Sequence, residues 1–353
     1  MQHAFGTSAP FTLGLEEELL LVDAATHRLA PVAEQVIPAM GLPAEIAAHE
    51  AYAAEVELRS RPVENTEAAI RELRAARTGA REAGAVLMGA GVHPAGELGD
   101  ARLVDHDRYL RVDGEMRGLI RRTPECALHV HVGMPDPETA IRAFNGMRAH
   151  LPLLQGLSAN SPWWFGTDSG MASARAALVR AYPGRGIPRA FRDFDDYAST
   201  VAAAVDAGGL EDYTFLWWDL RPHPKLGTIE VREMDAQASL DDVAAIAALI
   251  HGLAMHAAEN GATHSAPPEA LAWSSFRAAR DGLDASLHLN GSILPLRDAA
   301  RAAVDLARPH AGDAVEGIDR ILAEGGGAGR QRRAFDAGGM SALLAHLVER
   351  TRA

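Results

Sequence analysis

Between residues 65 and 87 apolar positions recur at near-helical spacing, at Ile70, Leu73, Ala76, Ala80 and Leu87, with Glu and Arg between them and an Asn or Thr at the start. This pattern predicts an amphipathic helix. A second helix is predicted over 240–260, where Ser239 and Asp242 form a capping-box-like pair and Gly261 a stop. Residues 136–150 predict a third that leads into the apolar 151–157, and the chain from Ser341 predicts a last short helix. Between these stretches the period drops to two, at 11–22, 54–59, 127–134 and 227–234, which predicts strands. Strands parted by helices of varied length, without a regular beta-alpha-beta beat of roughly 30 residues, predict an α+β fold and not a doubly wound parallel sheet. No internal repeat is visible. The stretches 182–188 and 325–329 read as loops, not linkers, so residues 1–353 are expected to form a single domain.

Each of the four predicted strands places ionisable residues two apart, and side chains two apart on a strand point to the same face. The pairs are Glu16 and Glu18, Glu55 and Glu57, His129 and His131, and Glu230 and Arg232. The alternate positions are Leu15, Val56, Val130 and Val231, with Glu17 as the exception. If the strands lie side by side, one sheet face is apolar and packs on helices. The other carries carboxylates, imidazoles and a guanidinium. Such carboxylates repel unless they are protonated or bridged by cations. A donor set rich in Glu, with His and no thiolate, suits Mg²⁺ or Mn²⁺. Magnesium held by carboxylates usually faces phosphate, so a nucleotide is the natural next expectation. Any one acidic pair taken alone is more often the solvated face of an edge strand, and His-x-His alone also suits zinc or iron.

Composition narrows the field. The chain is 48% hydrophobic and 23% charged, a balance that supports a sizeable core. Its net charge of −13 argues against nucleic acid or an anionic membrane surface as partner. Cys126 is the one cysteine, which excludes an intrachain disulfide and a thiolate zinc cluster. Residues 1–11 do not read as a secretory signal, and a cytoplasmic enzyme is expected.

At these same positions the chain resembles the bacterial carboxylate-amine ligases, the second family of glutamate-cysteine ligases. The resemblance runs over roughly 11–332 and rests on several motifs in order. They are FTLGLEEE at 11–18, GVHP at 91–94, HVHVG at 129–133, LSANSP at 157–162, DSGMASAR at 168–175, WWDLRP at 217–222, GTIEVR at 227–232 and GRQR at 329–332. It implies a curved antiparallel sheet lining the active site with helices on its outer side, the catalytic fold of glutamine synthetase and the guanidino kinases. It also implies activation of a carboxylate, that of L-glutamate, as an acyl phosphate by ATP, and attack by an amine such as L-cysteine. By the same resemblance Glu16, His129 and Glu230 hold the metal on the ATP phosphates, and Glu18, Glu57 and Glu50 the metal nearer the acid. Arg232 contacts the transferring phosphate, Arg175 is a candidate for substrate carboxylate or phosphate, and a homodimer is the guess from family and size.

Other residues stay open at this point. His131 contacts nucleotide or packs; Trp217 and Trp218 are pocket wall or core; Asn160 and Asp168 border the acceptor pocket or stabilise a turn. The 325–333 stretch lacks the ending of a phosphate loop and reads as a surface loop with Arg330 and Arg332 available to nucleotide. Cys126 reads as a buried small hydrophobe and not a nucleophile. Residues 260–271, and Ala174 where many relatives carry Tyr, depart from the family pattern. Two other activities fit the pattern: a guanidino-kinase-like phosphotransferase, and a His/Glu metal enzyme that does not use ATP.

Overall fold

The computed structural model describes residues 1–263 and 266–352, so positions 264 and 265 of the divergent 260–271 stretch lie outside the described residues. Its centre is a seven-stranded sheet, numbered here within that sheet: β1 (Leu13–Leu21), β2 (Ala47–Ala48), β3 (Glu55–Arg59), β4 (Leu87–Met88), β5 (Ala127–Gly133), β6 (Leu220–His223) and β7 (Thr228–Asp235). The order is β2-β3-β1-β5-β7-β6, with β4 also paired to β1, and every pairing is antiparallel. The α+β expectation holds, and the four predicted strands are β1, β3, β5 and β7 to within two residues at each end.

One face is apolar because the alternation in sequence holds at every position but Glu17. Leu13, Leu15, Val56, Leu58, Val130, Val132, Ile229 and Val231 are fully buried. They pack under α1 (Thr66–Glu82), α2 (Pro137–Met147), α3 (Leu151–Ser158) and α4 (Leu240–Asn260). Asn65 caps α1 and Asp136 caps α2, each accepting from the backbone N–H three residues on. α4 is long and apolar enough to cross a membrane by composition, yet most of it is buried inside the protein, where it serves as the central core helix.

Three expectations change. Helix α1 stops at Glu82, and Leu87 belongs to β4 instead. Ser239 caps α4 through the N–H of Asp241, whereas Asp242 turns away to receive Arg320 at 2.9 Å and Arg330, so no reciprocal box forms. The glycines at 325–329 are not a loop: Gly325, at positive φ, ends one helix and Gly326 begins α5 (Gly326–Arg352), which kinks at Gly338 and Gly339. Gly327 is required by close approach, since a Cβ there would stand 2.3 Å from Asn160 Oδ1. The helix predicted from Ser341 is thus the half of α5 beyond the kink.

The exception in the alternation, Glu17, lies on the apolar face with 1% exposure. Arg77 of α1 meets it with two hydrogen bonds, Nε–Oε1 at 2.8 Å and Nη2–Oε2 at 2.7 Å. The same guanidinium donates to the carbonyls of Gln237, Ala238 and Thr351, tying β1, the start of α4 and the end of α5 together.

Candidate active site

Strand register assembles the polar face. Glu16 of β1 stands opposite Arg59 of β3 on one side and His129 of β5 on the other. One step along, His131 stands opposite Glu230, which faces Arg221 of β6. In the other direction along β1, Glu18 stands opposite Glu57 and Leu20 opposite Glu55. Residues directly opposed across strands have side chains in reach of one another, so alternation and register together bring the four pairs onto one floor. A cavity of about 490 Å³ opens over it, lined by all eight of those residues and by Glu50, Arg175, Tyr52, Arg108, Tyr109, Glu125, Tyr182, Arg185, Trp217, Arg221 and His223 among others.

The floor has two electrostatic halves. At one, donor atoms of Glu16, His129 and Glu230 lie within 4.8 Å of one another. His129 Nδ1 is 3.3 Å from Glu16, and His131 Nε2 is 3.5 Å from Glu16 and 3.8 Å from Glu230. Burial works to raise the Glu16 carboxyl, yet His131 and His129 hold it well below the usual range. Burial likewise opposes ionisation of Glu230, but Arg221 and Arg232, both hydrogen-bonded to it, and the two histidines hold it well below. His129 is pushed down to about 3 by burial and by Arg232, so its ring is neutral and able to ligate.

At the other half, acids crowd without enough cations. Burial and the neighbouring Glu50 carry Glu18 up to about 8. Burial and Glu16 raise Glu57 well above its usual value, burial and Glu18 do the same for Glu55, and burial raises Glu50. Glu55 Oε2 is buried with no hydrogen-bond partner. Carboxyls of this kind are stable protonated or bound to cations, and hard oxygen donors of this number fit divalent magnesium or manganese. The donor set therefore fits the expected metals.

A thermal test follows. Acids raised in the folded state keep protons that the unfolded chain releases near 4.5, so without metal the folded state loses stability as pH rises from about 4.5 through about 8. Glu16 and Glu230 are depressed, and their contribution is complete above 4.5 and constant across this window. Below about 6.5 the histidines held low, His129 and His223 among them, work the other way, because the unfolded chain binds their protons, so we expect the melting temperature of protein stripped by EDTA to fall between about pH 7 and 8, by a few degrees. Mg²⁺ or Mn²⁺ should restore it, more at pH 8 than at pH 6. A flat profile with no metal effect would refute cation binding at this floor.

Of the residues expected from sequence, Glu16, Glu18, Glu50, Glu57, His129, His131, Arg175, Glu230 and Arg232 converge on this cavity. Trp217 lines it, whereas Trp218 packs on Phe191 and Tyr197. Arg330 does not join them: it is bound to Asp242 and, at 3.2 Å, to Glu324, away from this cavity. Asn160 is a structural clamp whose Nδ2 donates to the carbonyls of Gly89 and Ala236, and Asp168 pairs with Arg332 at 3.2 Å. Cys126 is buried, donates to Glu55 Oε1 at 2.9 Å, and has its thiol pushed well up by burial and by that acid, as suits an inert thiol. Sequence reading missed Arg59 and Arg221. Arg59 continues the alternation of Glu55 and Glu57, so the period of two already pointed to it. Arg221 was quoted within a motif but had no visible partner until β6 paired with β7.

The model of the family described as Glutamate-cysteine ligase family 2 (GCS2) matches residues 12–346. A Rubrobacter xylanophilus protein with the provisional name glutamate–cysteine ligase 2-1 is 38% identical over 97% of this chain and 95% of its own. A glutamate–cysteine ligase of Halobacterium salinarum is 36% identical over 95% of this chain and 96% of its own. Among solved structures, a Francisella tularensis glutamate–cysteine ligase in complex with AMP superposes with a TM-score of 0.74 at 12% identity, over 98% of this chain and 90% of that one. At that identity the likeness shows the fold, the ligase fold expected from the sequence.

Proposed function

The chain belongs to glutamate-cysteine ligase family 2, and from that premise we propose that it is an ATP-dependent ligase that activates the γ-carboxylate of L-glutamate as an acyl phosphate and couples it to an amine such as L-cysteine. The observation that carries this reading is the divided floor, where Glu16, His129 and Glu230 converge beside Arg221 and Arg232 and adjoin the cluster of Glu18, Glu50, Glu55 and Glu57 in one cavity. Joining a carboxylate to a triphosphate is opposed by the charge on both, and this floor is built to compensate negative charge at two adjacent places.

In this reading Glu16, His129 and Glu230 hold one divalent ion, Mg²⁺ or Mn²⁺, and Glu18, Glu57 and Glu50 another. When bound there, such ions screen the two anions from each other and polarise the phosphoryl oxygen. Arg232, fixed by its bond to Glu230, supplies positive charge to the transferring phosphoryl group, with Arg221 beside it on the same carboxylate. Arg175, whose Nη1 is held by the Glu233 carbonyl at 3.0 Å, orients the acid. His131 donates to nucleotide phosphate from the ionised half. Small molecules are the partners, and the cytoplasm, where ATP and L-glutamate are plentiful, is the setting.

The test is ADP release by purified protein with Mg²⁺, ATP and L-glutamate against a panel of amines that includes L-cysteine, with mass spectrometry of the products. Amine-dependent ADP release with a matching γ-glutamyl amide is expected. A phosphorylated guanidine without amide would show a kinase instead, and failure to bind ATP would end the ligase reading.

A further inference from the structure

We propose that Glu125 takes the proton from the attacking amine and that the apolar wall beside it seats the hydrocarbon part of that amine. The inference rests on the ligase reading above and adds to it the acceptor site. Glu125 lies in the same cavity, two residues before β5, and the backbone N–H of Ala127 donates to Glu18. It therefore stands at the proton-holding end of the floor, past Glu18, and at the far end from the row of His131 and Glu230. Around this end the cavity changes character to Tyr52, Val112, Ile120, Val179, Tyr182 and Trp217. Such a surface suits an amine with a short apolar side chain, not a charged one.

Glu125 and Glu55 are the carboxylates at this end that the proposed metal sites do not use; Glu55 accepts from the Cys126 thiol, whereas Glu125 borders the apolar wall beside Tyr182. Its nearest cation, Arg122, is 3.3 Å away but already donates at 2.8 Å to the carbonyls of Leu119 and Leu178. Arg122 is thus anchored independently of the carboxyl, to which Tyr182 is also hydrogen-bonded. Tyr182, Arg122, Arg175 and Arg185 face the carboxyl, with Tyr52 nearby. Burial outweighs them and brings the group to about 7, the range in which a general base works best at neutral pH.

The acceptor arrives as a primary ammonium and loses one proton to the Glu125 carboxylate. Its nitrogen then bonds to the acyl carbon. The bond from that carbon to the phosphate oxygen breaks, and phosphate leaves with the electron pair and the second nitrogen proton as hydrogen phosphate. Glu125 returns its proton to solvent.

Two acceptors separate this role from a structural one. L-2-Aminobutyrate is protonated at neutral pH and needs a base; hydroxylamine is largely unprotonated and does not. With ATP, Mg²⁺ and L-glutamate at pH 7, Glu125→Gln should lower the amide-forming kcat for L-2-aminobutyrate by about 10²-fold or more, and leave hydroxamate formation within a few-fold of wild type. Raising the pH should recover the amide rate of the variant. Equal losses with both acceptors in a variant that melts like wild type, or no loss with either, would overturn the proposal. If Glu125→Gln does not fold, Glu125→Asp decides by the same comparison, with a smaller but still selective loss expected. Wild-type protein that makes neither amide nor hydroxamate would instead overturn the ligase reading on which the proposal stands.

Discussion

Glu230→Gln is expected to lower ADP release by at least about 10³-fold at saturating substrates, with the Mg²⁺ requirement moved to higher concentration. Glu230 is the point where the rows of the floor meet. It accepts from Arg221 and Arg232 and stands opposite His131 in register, and it is one of the three residues whose donor atoms converge within 4.8 Å. The amide keeps the shape but removes the charge, so two buried guanidiniums lose their counter-ion and repel the divalent ion whose charge the Glu230 carboxylate helped to balance. The measurement is ADP release against Mg²⁺ concentration. A variant within tenfold of wild type at every concentration would remove Glu230 from the reaction. A variant rescued fully by high Mg²⁺ would confine its role to ion binding.

Arg77→Met is expected to cost about 3–5 kcal/mol of stability, the range for breaking a buried ion pair from one side. Both partners are nearly inaccessible, at 3% and 1% side-chain exposure. The substitution leaves the buried Glu17 carboxyl without its ion-pair partner and orphans the carbonyls of Gln237 and Ala238 as well. The double variant Glu17→Met with Arg77→Met should recover part of the loss, because no charge then remains buried. Urea unfolding midpoints of the two variants give the comparison. If the single variant loses under about 1 kcal/mol, or the double is worse than the single by the full value of a second charge, the ion pair is not what holds β1 to α1 and α5.

The reach of sequence reading differs between these two cases. Glu230 was visible because it repeats a rule seen in three other strands: ionisable residues at i and i+2 with apolar residues between. Glu17 was visible only as a breach of that rule. Its partner Arg77 lies sixty residues away on a helix, in phase with the apolar Leu73 and Ala80, but local spacing does not say which acid it meets. Arg330 shows the reverse error. A basic residue after a glycine run resembles a phosphate-binding element, but its charge is consumed by Asp242, a contact between positions 88 apart. Glu125 has no strand partner two residues away, so it gave no periodic signal at all. Burial makes it notable, and burial of a carboxyl cannot be read from its neighbours in the chain.

What the sequence by itself determined is therefore local and periodic: where the main strands and the long core helix run, which face of each strand is apolar, and that one sheet face would concentrate acids, imidazoles and a guanidinium. Alternation dictates these because successive side chains on a strand must point to opposite sides. Tertiary structure alone decided how the strands pair, and hence that Glu16 faces His129 and Arg59 while Glu230 faces His131 and Arg221. It also decided which acids ionise. The carboxyls of Glu16 and Glu18 are two residues apart on the same face, yet one is held well below and the other raised to about 8. Burial raises both; the difference comes from the groups brought against each, His131 and His129 beside Glu16 and Glu50 beside Glu18, and no such neighbour exists until the chain is folded.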